Sequence, residues 1–173
     1  MTRSSSSRKK RNTINSKMES GAENFYPFKP TRKSGEHYTA DAVIIWCFDA
    51  GFRNVLESFI KAMGWRGDRV DVITEPGGVK TLVSPIEEAH RASLVWRIQS
   101  SLKLHHPKNV VLMLHGDCGA YGGLNAFGDD AAKEKENHEK DLRVAKEYIE
   151  KRLPAGTKVK MWFSAFDGLH RIE

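Results

Sequence analysis

Along the chain the apolar positions change period several times, and each change marks an element. Ala42 to Cys47 reads Ala-Val-Ile-Ile-Trp-Cys, an uninterrupted apolar run. Such runs suit strands covered on both faces, as in parallel sheets, whereas half-exposed strands alternate. Phe52, Val55, Leu56, Phe59, Ile60 and Met63 then recur at helical spacing and make one apolar face, which ends near Gly64 and Gly67. Val70 to Thr74 is the next strand, closed by a Glu75-Pro76-Gly77-Gly78 turn. Ser84, Pro85 and Glu87 predict an N-cap, a first-turn proline and a capping box. That helix runs to about Leu104, where His105, His106 and Pro107 stop it. Val110 to Leu114 is the most apolar strand of the chain. A charged helix is expected from about Asp129 to Leu153, with Leu142, Ala145, Ile149 and Leu153 buried and Lys133 to Lys140 as a solvated face. After Pro154 and Gly156, Val159 to Phe166 supplies a last strand.

Four strands separated by helices predict an α/β domain, with a mainly parallel β-sheet flanked by helices and right-handed crossovers. Ligands of such sheets gather outside the carboxyl ends of the strands. Here those ends are Cys47–Asp49, Glu75–Gly78 and His115–Cys118. A chain of 173 residues suits one domain with a substantial core. No run approaches the roughly 18 to 20 apolar residues of a membrane-spanning helix, so a membrane partner is not expected.

A formal charge of +6 first suggests nucleic acid. Its distribution changes that. Residues 1–35 hold nine basic and two acidic side chains, and residues 36–173 hold 19 basic and 20 acidic. The whole excess therefore sits in a basic N-terminal arm, residues 1–35, expected to be flexible to about Gly21, ahead of a nearly neutral domain at 36–173. Nucleic acid is then not the expected partner. Phe25, Tyr26 and Phe28 interrupt the polar arm and suit a segment that lies down on the domain or on a partner subunit. No apolar stretch follows the basic residues, so a secretory signal is not expected and a cytoplasmic location is. The first 18 residues are rich in Ser and Arg and lack acids, which leaves an organelle transit peptide open.

The chain has two cysteines, too few for a disulfide framework. Each stands at the carboxyl end of an expected central strand. His115 precedes Cys118 by three residues, and Asp49 follows Cys47 by two. Two thiolates and an imidazole make a soft donor set that suits zinc, with Asp49 or water in the fourth place. Singly, each of these residues is more simply a small buried side chain at a strand end. Together they mark a candidate metal site.

At this point the chain resembles the β-class carbonic anhydrases, which carry Cys-x-Asp-x-Arg after a first strand and His-x-x-Cys-Gly after a third. The matching segments are Cys47-Phe48-Asp49 and His115-Gly116-Asp117-Cys118-Gly119. The resemblance covers about residues 40–125 by motif and the rest by the order of elements. It implies Cys47, His115 and Cys118 as zinc ligands, and Asp49 as a fourth ligand or as the acceptor that orients a zinc-held hydroxide. The implied reaction is hydration of CO2 to bicarbonate. The implied assembly is a homodimer or higher homo-oligomer whose arms embrace the partner, a task that Phe25–Phe28 suit.

One position departs from the pattern. The family's arginine pairs with the aspartate and draws it off the metal, and its place is taken here by Gly51. Arg53 is the nearest cation and the candidate substitute. The family's Arg-Asn-Ala-Gly turn is also replaced, by Glu75-Pro76-Gly77-Gly78. Two other functions therefore stay open beside CO2 hydration. One is a zinc-stabilised protein of the same fold that lacks hydratase activity or acts on another small substrate such as CS2 or COS. The other is a cysteine hydrolase in which Gly116-Asp117-Cys118-Gly119-Ala120 forms a nucleophile elbow around Cys118.

Overall fold

The structure is a computed structural model that describes residues 30–173. The chain divides into two units at the Glu36–His37 boundary, the second being the compact His37–Glu173. Of the first, residues 30–36 are described: they turn so that Arg32 Nη1 donates to the Glu36 carbonyl at 2.8 Å and Lys33 N–H donates to Glu36 Oε2 at 2.9 Å. The rest of the arm, with Phe25–Phe28, lies outside the described residues.

The second unit opens with β1 (Ala42–Cys47), α1 (Arg53–Ala62) and β2 (Val70–Glu75). It continues with α2 (Lys80–Val83), α3 (Glu88–His105), β3 (Asn109–His115), α4 (Ala131–Glu150), β4 (Lys158–Ala165) and β5 (Gly168–Ile172). The strands form one sheet in the order β2-β1-β3-β4-β5. The first four are parallel, and β5 pairs antiparallel with β4. All six residues of β1 are buried, as an uninterrupted apolar run requires. On one face Val43, Ile45, Val110 and Leu112 pack with Leu94 and Ile98 of α3 and Leu142 and Ile149 of α4. On the other, Ile44, Trp46, Val111 and Met113 pack with Phe59 of α1. The central strands thus lie between two helical layers. Among the described residues no helix is long and apolar enough to cross a membrane.

Three expectations are corrected. Ser84 does not cap α3. It ends α2, its N–H donating to the Lys80 carbonyl at 2.8 Å. Buried Leu82 draws Lys80–Val83 into a helical turn of its own. Pro85 then disfavours helical backbone at Ser84, so α3 starts only at Glu88, with extended Glu87 before it and no side-chain cap. The second correction is the fifth strand. Phe166-Asp167 is a two-residue hairpin loop that returns Gly168–Ile172 along β4, and its signal was the Asp167-Gly168 pair. The third concerns Lys133–Lys140, which is not uniformly solvated: Glu134 is 3% exposed and His138 is fully buried. They extend the stripe of Leu142 upstream by steps of four.

Gly78 sets how closely the β2–α2 turn can approach the strand ends. Its φ is +56°, and a Cβ there would sit on the Met113 carbonyl oxygen. Only glycine lets the backbone pass between the ends of β1 and β3.

At the opposite end of the sheet, Asp71 of β2 accepts hydrogen bonds from Tyr38 (2.5 Å), Ser101 (2.6 Å) and His105 (2.8 Å). Burial pushes this carboxyl up, but the three hydrogen bonds and the His105 charge outweigh it and hold it below the usual carboxylate range. A carboxyl depressed on folding stabilises the fold above its unfolded value of about 3.9, and that contribution is lost as pH falls through the lower folded value. The stability gap between the wild type and Asp71→Asn, read from urea midpoints, is therefore expected to be full at pH 6 and to shrink steadily below about pH 4. A gap independent of pH would contradict the assignment.

Candidate metal centre

β1 and β3 are neighbours and parallel, so their carboxyl ends open on the same edge of the sheet. Cys47 is the last residue of β1 and His115 the last of β3. Asp117, in the left-handed region at φ +52°, then turns the chain and brings Cys118 back. The two Sγ atoms and an imidazole nitrogen all lie within 4.8 Å of one another. Cys47, His115 and Cys118 are 4%, 1% and 2% exposed. Both thiols are free.

The histidine tautomer follows from its neighbour. His115 Nδ1 lies 2.8 Å from the Gly116 carbonyl oxygen, which can only accept. Nδ1 therefore carries a proton, and in the neutral ring Nε2 is the nitrogen that offers a lone pair. Nε2 is buried and has no hydrogen-bond partner, a costly condition for a polar atom in a dry interior. Phe52 packs over the ring at 4.4 Å between centroids, and Trp46 lies at 6.0 Å.

The three groups share protons unequally. The hydrogen bond from Cys118 lowers the Cys47 thiol to about 4, against the opposing effect of burial. The same contact, with burial, pushes Cys118 up. Burial also opposes charge on His115, but the facing Cys47 thiolate and the Gly116 carbonyl more than offset it and raise its pKa. Two sulfurs and a bare imidazole nitrogen, all buried and convergent, fit zinc by their chemistry.

Asp49 lies outside this three-residue cluster. Its Oδ1 accepts the Gly51 N–H at 2.7 Å and caps the single 3-10 turn Ala50–Phe52. A backbone N–H thus touches the carboxylate from the position where the resemblance expects an arginine. Arg53 heads α1 with an exposed side chain, and among the described residues no ion pair joins it to Asp49. The nucleophile-elbow geometry is not found: Cys118 has an ordinary φ of −74°, and one 3-10 turn, Gly119–Tyr121, follows it.

Two neighbours of the site were not singled out from sequence. Phe52 was read only as part of a helix face. Glu134, on α4, accepts the Asp117 N–H at 2.7 Å. Burial, with the nearby Asp117 charge, holds its carboxyl above the usual range, and that hydrogen bond offsets only part of the shift. Its spacing with Leu142 was the signal for burial, and nothing local pointed to the site.

Comparison with known proteins settles the family. A family model described as "Putative carbonic anhydrase" matches residues 38–172. The chain belongs to this carbonic anhydrase family. Its fold is similar to that of β-carbonic anhydrase isoform I from Trichomonas vaginalis, with a TM-score of 0.56, 12% identity, and coverage of 96% of this chain and 94% of that one. An uncharacterized protein of Rickettsia bellii (strain RML369-C) is 27% identical over 132 residues, 75% of this chain and 79% of that protein. The uncharacterized protein RC0076 of Rickettsia conorii (strain ATCC VR-613 / Malish 7) is 26% identical over 132 residues, 75% of this chain and 70% of that protein. The expected mainly parallel α/β fold of the carbonic anhydrase type is the observed one, with five strands rather than about four.

If the cluster is the metal site of this carbonic anhydrase family member, Cys47→Ser and Cys118→Ser each weaken zinc binding by more than the roughly 10- to 100-fold typical of outer contacts. Chelator competition checks this. Unchanged affinity in either variant would remove that residue from the site.

Proposed function

We propose that the protein is a zinc-dependent carbonic anhydrase, catalysing the reversible hydration of CO2 to bicarbonate, with Cys47, His115 and Cys118 holding the metal. The observation that carries this reading is the bare, buried Nε2 of His115 beside two free thiols. Membership of the carbonic anhydrase family supports it. When bound, zinc supplies the Lewis acidity that brings deprotonation of water toward neutral pH. The chain's own residues do the remainder. The Gly116 carbonyl fixes His115 in the tautomer that offers Nε2. Phe52 covers the ring and keeps bulk water from it.

Asp49 is the proton acceptor that orients the reacting water. The Gly51 N–H occupies Oδ1, a contact with this carboxylate that the resemblance gives to an arginine. The second oxygen remains to accept the water's hydrogen bond. Overall, one water and one CO2 give bicarbonate and one proton, which passes to buffer. Arg53 has no role in this account.

The same reading makes the protein a homodimer or higher homo-oligomer in the cytoplasm. In support of assembly, β2 is an edge strand that leaves Val72 41% exposed, and Phe48 beside the site is 65% exposed.

Stopped-flow CO2 hydration by zinc-loaded protein from pH 7 to 9 tests the activity. Turnover is expected, rising toward the higher pH, and Asp49→Ala should lower it by roughly 100-fold or more. No hydration at pH 9 from fully zinc-loaded protein would overturn the reaction and leave a metal protein acting elsewhere.

A further inference from the structure

Glu134 is an acidic residue 3% exposed, and among the described residues it takes part in no ion pair. A buried carboxylate without a cation is unusual enough to ask what holds it there. It stands in the first turn of α4, which is fixed by Asp130: that carboxylate accepts the N–H groups of Ala132 at 2.9 Å and Lys133 at 3.1 Å. From this turn Glu134 Oε1 accepts the Asp117 N–H at 2.7 Å. Its other oxygen lies so close to Gly116 that a Cβ there would come within 3.3 Å of it.

Asp117 N–H and the Gly116 carbonyl are the two ends of one peptide group. The carbonyl end accepts the Nδ1–H of His115 at 2.8 Å. Carboxylate, peptide and imidazole therefore form a continuous hydrogen-bonded chain that ends at the unpartnered Nε2. A negative charge accepting at the N–H end polarises the peptide and makes its oxygen a stronger acceptor. A stronger bond from Nδ1–H fixes the ring and raises the basicity of the opposite nitrogen.

We propose that Glu134 is a positioning residue for His115, acting through the Gly116–Asp117 peptide to lock the ring's tautomer and strengthen Nε2 as a metal donor. This rests on the metal reading of Cys47, His115 and Cys118. A residue that merely braces the turn at Asp117 would need an acceptor oxygen at this place and no charge.

Glu134→Gln separates these roles, because it keeps the size and an acceptor oxygen while removing the charge. Two readouts apply: zinc affinity by competition with a chromophoric chelator, and the His115 Nδ1–H resonance of the metal-free protein by NMR. Glu134→Ala is expected to lose about 10- to 100-fold in zinc affinity. Glu134→Gln should lose a smaller but measurable factor and move the Nδ1–H resonance upfield. Glu136→Gln, an exposed control on the same helix, should leave both at wild-type values. If Glu134→Ala does not fold, Glu134→Gln alone decides. A Glu134→Gln protein matching the wild type in affinity and resonance, or a control that moves as far, overturns the proposal while the metal reading stands. A wild-type protein that takes up no zinc overturns both.

Discussion

The whole site depends on a constraint of parallel sheets: two adjacent parallel strands end on the same edge. β1 and β3 are such neighbours, each buried along its length, and their last residues are a cysteine and a histidine. The packing of Val43, Ile45, Val110 and Leu112 on one face and Ile44, Val111 and Met113 on the other fixes this pair in register. Side chains that are distant in sequence are then held together by the sheet itself. Loops supply only the last donor, Cys118, through a turn that Asp117 makes at positive φ. Rigid strands holding most of a site, with one short turn completing it, provide the preorganisation that a metal centre needs.

Burial turns this convergence into chemistry. A lone pair on His115 Nε2 without a partner, and a thiol pair in which one sulfur favours the thiolate, are unfavourable features of an apolar interior. Under the proposed function a soft cation would relieve both at once. The same apolar walls that stabilise the sheet enclose the three side chains.

Much of this was legible in the residues themselves. The run from Ala42 to Cys47 marked a doubly buried strand, and the spacing of His115 and Cys118 marked residues that the fold brings together with Cys47. What was hidden had physical causes. Pro85 looked like a first-turn proline, and only the burial of Leu82 turns the preceding segment into a separate helical turn. β5 carries just Leu169 and Ile172 as apolar residues among five, so its pattern is weak without its partner β4. Glu134 and His138 read as surface charge because they are polar, although steps of four from Leu142 place both on its buried face. Gly51 was a departure in sequence terms, yet its backbone N–H reaches the Asp49 carboxylate that an arginine side chain was expected to hold. The charge was misleading in the opposite sense: the arm carries +7 and the remainder −1, and the two cysteines carry more information than the 28 basic residues.

The most direct test of the account is X-ray absorption at the zinc edge of the purified protein. Expected are one zinc per chain with two sulfurs at about 2.3 Å, one histidine nitrogen at about 2.0–2.1 Å and a single oxygen completing the shell. Absence of zinc, or a shell with no sulfur, would contradict it.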